Sequence, residues 1–301
     1  MELKDFTRKT DREMAAYDFR EEVLAFGSEE DAVERFFTYK AVGVAEKKTP
    51  EALAYEESEK VYHKHSILIP KGEADSCPLL LEILNRLGIV SQAADTMNSG
   101  LTTIVEFLKP SSEQFEMNAA CRKAHWGNQK AVWLYYHNEQ DIRKMLVPAQ
   151  SFLKVSYTIG NFIPCPADCN RPGTSLTRDY WDLTIWYIYL WFHGTGVQKE
   201  AALERLFWNG RYAKFQMETY GDWLARFGTW DEFVEQNFLQ DYTEWAQPPY
   251  GRPKEFWDGH FEGPVFPKTT EQFEAFFTRA TQCIEARSMR MVTALKGRNP
   301  E

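Results

Sequence analysis

No segment of this chain is apolar for long enough to cross a bilayer. The longest strongly apolar run, Leu183 to Phe192, is broken by Thr184 and falls far short of the roughly 20 residues that a spanning helix needs. A secretory leader pattern is equally missing, because the first twenty residues, MELKDFTRKTDREMAAYDFR, carry charge throughout. Cysteine is sparse and odd in number, with five residues at 77, 121, 165, 169 and 283, which is not the pattern of a disulfide framework. A reduced, cytoplasmic protein is the expectation. There is no long basic run either, and the formal net charge of −9 works against attraction to nucleic acid or to an anionic membrane. The familiar catalytic signatures are missing as well: no GxxxxGKS/T, no strand-to-helix GxGxxG, no HExxH and no GxSxG. Each absence excludes one route to function, not function itself.

What is present is buriable surface. Apolar residues make up 44% and aromatics 15% of 301 residues, with ten Trp, too much for a chain that stays unfolded. Helix-start signals recur. Ser28 precedes EEDAVERFF and Asn138 precedes EQDIRKML, while Ser111 with Gln114, Thr229 with Glu232 and Thr269 with Gln272 fit the capping box. The clearest helix follows Thr269, where Phe273, Phe276, Phe277, Ala280, Ile284, Arg287 and Met291 recur at three- and four-residue spacing. Similar periodicity predicts helices over 77–90, 102–108, 201–208 and 215–228, the last closing on Gly228. Strands are scarce: HSILIP (65–70) is the best candidate, and AVWLYYH (131–137) fits either state.

The expected fold class is therefore mainly α, a single globular multi-helix domain over 1–301 with few or no short strands. Residues 1–60, rich in Glu and Lys, are the one stretch that reads as a peripheral helical arm. The Pro- and Gly-rich segment 247–270 carries Tyr250, Phe256, Trp257, Phe261 and Phe266, and so reads as a loop laid against the body rather than a free linker.

One element sets the candidate site. YWDLTIWYIYLWF (180–192) is apolar or aromatic nearly all round, so it is expected to be a central core helix without a wet face. Its N-terminus then needs partners for orphan N–H groups and a partial positive charge away from bulk water. In the plainer of two readings Asp179 is the N-cap, Asp182 a dipole partner, Arg171 or Arg178 their counter-ion, and Asn161 and Asn170 stitch turns. In the sharper reading the same residues form a small polar pocket in apolar walls that grips a ligand. A second knot, DTMNSGLTTI (95–104), places Asp95 and Asn98 before an apolar helix, where they cap it or, if the fold brings them close, join the pocket.

Metal chemistry finds no support. Cys165 and Cys169, and His63 and His65, are pairs without the partner pair that a zinc site requires. Cys169 would need a His beside it to act as a nucleophile, and His125, His137 or His193 are the choices; His193 reads more simply as a dipole partner at its helix C-terminus. The acidic clusters at 29–31 and 231–235 are also dipole partners. No cofactor is called for.

DTMNSG (95–100), YTIGNFIPCP (157–166), DYWDLTI (179–185), YGDWLARFGTWDEFVEQNFLQDY (220–242) and EQFEAFF followed by IEARSMRMV together resemble a family of bacterial proteins that carry a domain of unknown function, over roughly residues 61–292. Where that family pattern has an aromatic before the Asn of the loop, Cys169 stands before Asn170, which weakens any claim for Cys169 as an essential thiol. The resemblance implies a bacterial, cytoplasmic setting and a mainly helical fold, and brings no activity. Two functions fit. The first is a non-catalytic binding or interaction protein, of the kind bacteria carry for stress or defence, whose partner is a small polar ligand or another protein. The second is an enzyme on a small polar metabolite or nucleotide, with Asp182 or Asp179 as base and Arg171 or Arg178 as anion holder.

Overall fold

The computed structural model describes residues 1–22, 24–26, 68–70, 77–89, 94–97, 147–166, 169, 180–207, 213–257, 261, 267 and 269–298. Among them the chain is mainly α. The helices are α1 (Leu3–Phe6), α2 (Asp11–Ala15), α3 (Pro78–Arg86), α4 (Val147–Val155), α5 (Trp181–His193), α6 (Gly196–Phe207), α7 (Ala213–Ala225), α8 (Trp230–Gln236) and α9 (Thr270–Gly297). Four short strands pair antiparallel in twos: β1 (Leu24–Phe26) with β2 (Leu68–Pro70), and β3 (Ala94–Met97) with β4 (Ile163–Pro166).

Local chemistry sets several of these boundaries. Thr269 accepts from the Gln272 amide while Gln272 reaches back to the Thr269 amide, the full capping box expected at α9. Thr229 caps α8 through the Glu232 amide. A second full box, Thr10 with Glu13, starts α2. Gly228 takes φ +72° just past α7, a backbone state that costs a side-chain-bearing residue but not glycine. The signals at Ser28, Ser111 and Asn138, the helix at 102–108 and the ambiguous 131–137 run lie outside the described residues.

Helix α9 joins two apolar cores. Phe276, Phe277, Ala280 and Ile284 face a larger core built from α4 through α8, and Met291, Val292 and Leu295 face a second core with α3 and residues 3–19. Each large apolar side chain taken fully from water contributes about 1.5–3 kcal/mol, so this helix is a principal source of stability. Residues 1–22, read from sequence as part of a peripheral arm, bury Phe6, Met14 and Phe19 completely in the second core. They are tied down by the Phe19 amide on the Tyr157 carbonyl (3.1 Å) and by Lys296 on the Lys9 carbonyl (3.2 Å) and Asp11.

Helix α5 spans the residues expected, but its burial is graded. Residues 181–185, Ile188 and Trp191 are buried, while Trp186, Tyr187, Tyr189, Leu190 and Phe192 are half-buried and His193 is exposed. The N-terminal turns enter the core, and the other half presents an aromatic flank to the surface. A wholly sunken rod is thus corrected to a helix sunk at one end.

Candidate functional site

The stretch 155–166 is buried without interruption. It passes through the interior, and its polar groups are used to hold it there. Asn161 donates from Nδ2 to the Ser156 carbonyl at 2.8 Å, a turn stitch of the kind the plainer reading assigns. The 3₁₀ turn Ile159–Asn161 is pressed against α9, where Ser288 Oγ accepts from the Gly160 amide at 3.0 Å. A Cβ at Gly160 would overlap the Ile284 carbonyl oxygen and lie 2.8 Å from the Ser288 nitrogen. Only glycine fits there.

Arg287 completes this junction. It lies on the apolar stripe of α9 and is wholly buried. Its Nε donates to the Asn237 carbonyl (2.9 Å) and Nη1 to the carbonyls of Gly160 (2.7 Å) and Phe162 (3.0 Å). Asn237 is the C-cap of α8, so the guanidinium sits at the negative end of that helix dipole. Burial still lowers its pKa to about 10, partly countered by the Tyr242 phenol nearby. The sequence reading placed Arg287 on the buried face without giving it a role. A lone arginine in an apolar heptad-like stripe was the available signal.

Asp182 is the second wholly buried ionisable group. Its Oδ2 accepts from the Phe256 amide at 2.9 Å, while Oδ1 has no hydrogen-bond partner. Burial raises its pKa to about 7, the amides of Phe256 and Leu183 pull it back in part, and Glu255 adds to the rise. Tyr242 and Cys283 lie close enough to feel its charge, and burial lifts the Cys283 thiol to about 12. Asp182 therefore ties helix α5 to the segment that follows α8.

The N-cap of α5 is Tyr180, with no side-chain cap bond, and its ring packs in the aromatic cluster of Phe276 (5.3 Å) and Trp257 (5.7 Å). Asp179, Asn170, Arg171, Arg178 and Asn98 lie outside the described residues. The two polar knots do meet in the backbone, since Asp95 stands opposite Cys165 in the β3–β4 pair. Cys77, Cys165, Cys169 and Cys283 are buried thiols, and at Cys283 the Sγ donates to the Asp241 carbonyl at 3.3 Å. Among the described residues no three His, Cys, Asp or Glu side chains form a metal-ligand group, and no helix is long and apolar enough to cross a membrane.

The segment after α8 is laid on the body as its aromatics suggest. Trp230 Nε1 donates to the Gly251 carbonyl (3.1 Å), the Tyr250 amide donates to Asp231 (3.0 Å), and Thr243 bridges to Pro253. Asp231, expected to serve the dipole of its helix, also anchors this loop.

A cleft of about 390 Å³ opens on the other end of α5, between it and α6, lined by Tyr187, Leu190, His193, Gln198, Ala201 and Arg205. The walls are apolar and the rim is polar. His193 Nδ1 donates to the Tyr189 carbonyl at 2.9 Å, the role at the helix C-terminus anticipated for it, which leaves Nε2 as an acceptor when the ring is neutral. Arg205 is exposed at the rim, beside the Tyr187 phenol, and no carboxylate among the described residues pairs with it. Gly194 makes the α5–α6 junction tight: a Cβ there would lie 2.7 Å from the Leu190 carbonyl oxygen. The sequence reading missed this cleft. Its walls come from two helices, and only Ala201 and Ala202, small residues that leave room between helices, hinted at it.

Comparison of the chain with protein-family models, with curated proteins and with solved structures finds no match.

Proposed function

We propose that this chain is a non-catalytic binding protein of the bacterial cytoplasm, and that its ligand is a small anion with an apolar body seated between α5 and α6. The observation that carries the reading is an unpaired guanidinium, Arg205, on the rim of a 390 Å³ cleft with apolar walls. That volume is in the range that holds a small molecule, and a fork of N–H donors matches a carboxylate in two bonds at once. Tyr187 and Leu190 supply the surface for the ligand's apolar part. The enzyme reading loses one of its two candidate bases, because Asp182 is sealed inside and spends one oxygen on the Phe256 amide, while Asp179 lies outside the described residues. A protein-docking face is less favoured, since the exposed large apolar side chains among the described residues, Met1, Val147, Val197, Phe215, Trp245 and Met289, are carried by different elements.

The test is a melting-temperature screen of aromatic and aliphatic carboxylic acids against the wild type and Arg205→Gln. A ligand at 100 times its Kd stabilises by about 2.7 kcal/mol, a readily measured rise in Tm. The rise is expected in the wild type and lost in the variant; equal rises in both, or none in either, refute the assignment.

A further inference from the structure

We infer that Asp182 is a latch: its bond to the Phe256 amide helps hold residues 253–257 down over the aromatic floor of Tyr180 and Phe276, and ionisation of the carboxyl loosens that segment. The inference goes beyond ligand binding and uses a different end of α5.

The geometry is that of a connection under tension between its two oxygens. Oδ2 meets the backbone of residue 256 at 2.9 Å, and Oδ1, equally buried, meets no donor. A neutral carboxyl tolerates such a place; a charged one with an unsatisfied oxygen does not, because it has lost water on one side and gained nothing. The amides of Phe256 and Leu183 offset part of that cost, and the side chains that face the carboxyl add no relief. Tyr242 from the segment after α8 and Cys283 from α9 are held protonated by burial, and Glu255 beside the contact is of like sign. Lys254 and Arg287 are the nearby cations; the first is felt at Cys283 and the second at Tyr242.

Two further anchors of this segment among the described residues lie upstream. Trp230 holds Gly251, and the Lys254 amide donates to the Tyr242 carbonyl at 3.0 Å. Beyond Lys254 the Asp182 contact holds the Phe256 amide, with the Phe256 ring against Phe276 (5.8 Å) and Trp257 against Tyr180. Lifting 255–257 would re-expose the carboxylate to water at the cost of baring Phe256 and Trp257. Below neutral pH the balance favours the closed form. As pH rises the carboxylate gains from leaving, and with a carboxyl that titrates near 7 when closed and near 3.8 when open, opening becomes roughly 100-fold more frequent between pH 5 and pH 8.

Hydrogen exchange at the Phe256 and Trp257 amides, corrected for intrinsic rates, reads this directly. Protection is expected to fall roughly 100-fold between pH 5 and pH 8 in the wild type while the α8 amides keep theirs. Asp182→Asn, whose amide oxygen still accepts from Phe256, should show no such fall. If that variant does not fold, the carboxyl carbon of Asp182 in the wild type, followed by NMR, serves instead, with an expected midpoint near 7. Protection independent of pH, the same fall in the variant, or a midpoint in the ordinary carboxylate range overturns the latch. Each outcome leaves the Arg205 assignment untouched.

Discussion

Replacing Arg287 with Met keeps much of the aliphatic volume but removes every donor of the buried guanidinium. Three carbonyls, those of Asn237, Gly160 and Phe162, then lose their partner inside the protein. A buried acceptor left unpaired costs about 1–3 kcal/mol, so the three together cost about 6 kcal/mol at the middle of that range. Against this stands the relief of no longer burying a cation. The drop of the guanidinium from 12.5 to about 10 values that relief at about 3 kcal/mol. The net expectation is a loss of about 3 kcal/mol, measured as a lower urea midpoint with unchanged slope. Exchanging whole buried ion pairs for apolar residues is often neutral or stabilising. Here the acceptors are backbone and cannot be exchanged with the cation, which is why the sign should differ. A variant as stable as the wild type would refute the view that Arg287 is the clamp between α8, the Ile159–Asn161 turn and α9.

Two further outcomes follow from the same interior. Gly160→Ala drives a methyl into the Ile284 carbonyl and the Ser288 backbone and should cost about 3 kcal/mol or more, seen as a Tm lowered by several degrees; a neutral result would mean that α9 can move aside. For global stability, Asp182 has a folded pKa of about 7 against 3.8 unfolded, so its contribution is fully present below about pH 4 and is lost as pH rises through 7. The difference between wild type and Asp182→Asn in urea unfolding should therefore shift by about 4 kcal/mol in favour of the variant between pH 4 and pH 8, and a flat difference would sink the assignment.

How far the sequence reveals this molecule depends on the range of the interaction. Thr229 with Glu232 and Thr269 with Gln272 are legible because a cap is a contact over three residues, and α9 is legible because its stripe repeats for several turns. The site was harder. Asp182 was singled out correctly as a buried carboxyl at a helix start, yet its partner is the amide of Phe256, 74 positions away, and no local pattern announces that. Asp179 suits a cap by residue type, whereas the helix boundary falls one residue on, with Tyr180 at the N-cap. Arg287 and Arg205 show the same limit from two sides: one arginine is sunk among carbonyls of three elements, the other stands open at a rim, and their surroundings of apolar neighbours in sequence look alike.

That Phe6, Met14 and Phe19 share a core with Met291, Val292 and Leu295 bears on how the chain is made. During synthesis these three side chains emerge long before the surface they belong to exists, and must wait for more than 270 further residues to be added. Contacts so distant in sequence slow folding. The nascent chain thus carries the greasy side chains of residues 6–19 bare until that surface is made, a natural handhold for a chaperone and a point where crowding on one messenger would cause clumping.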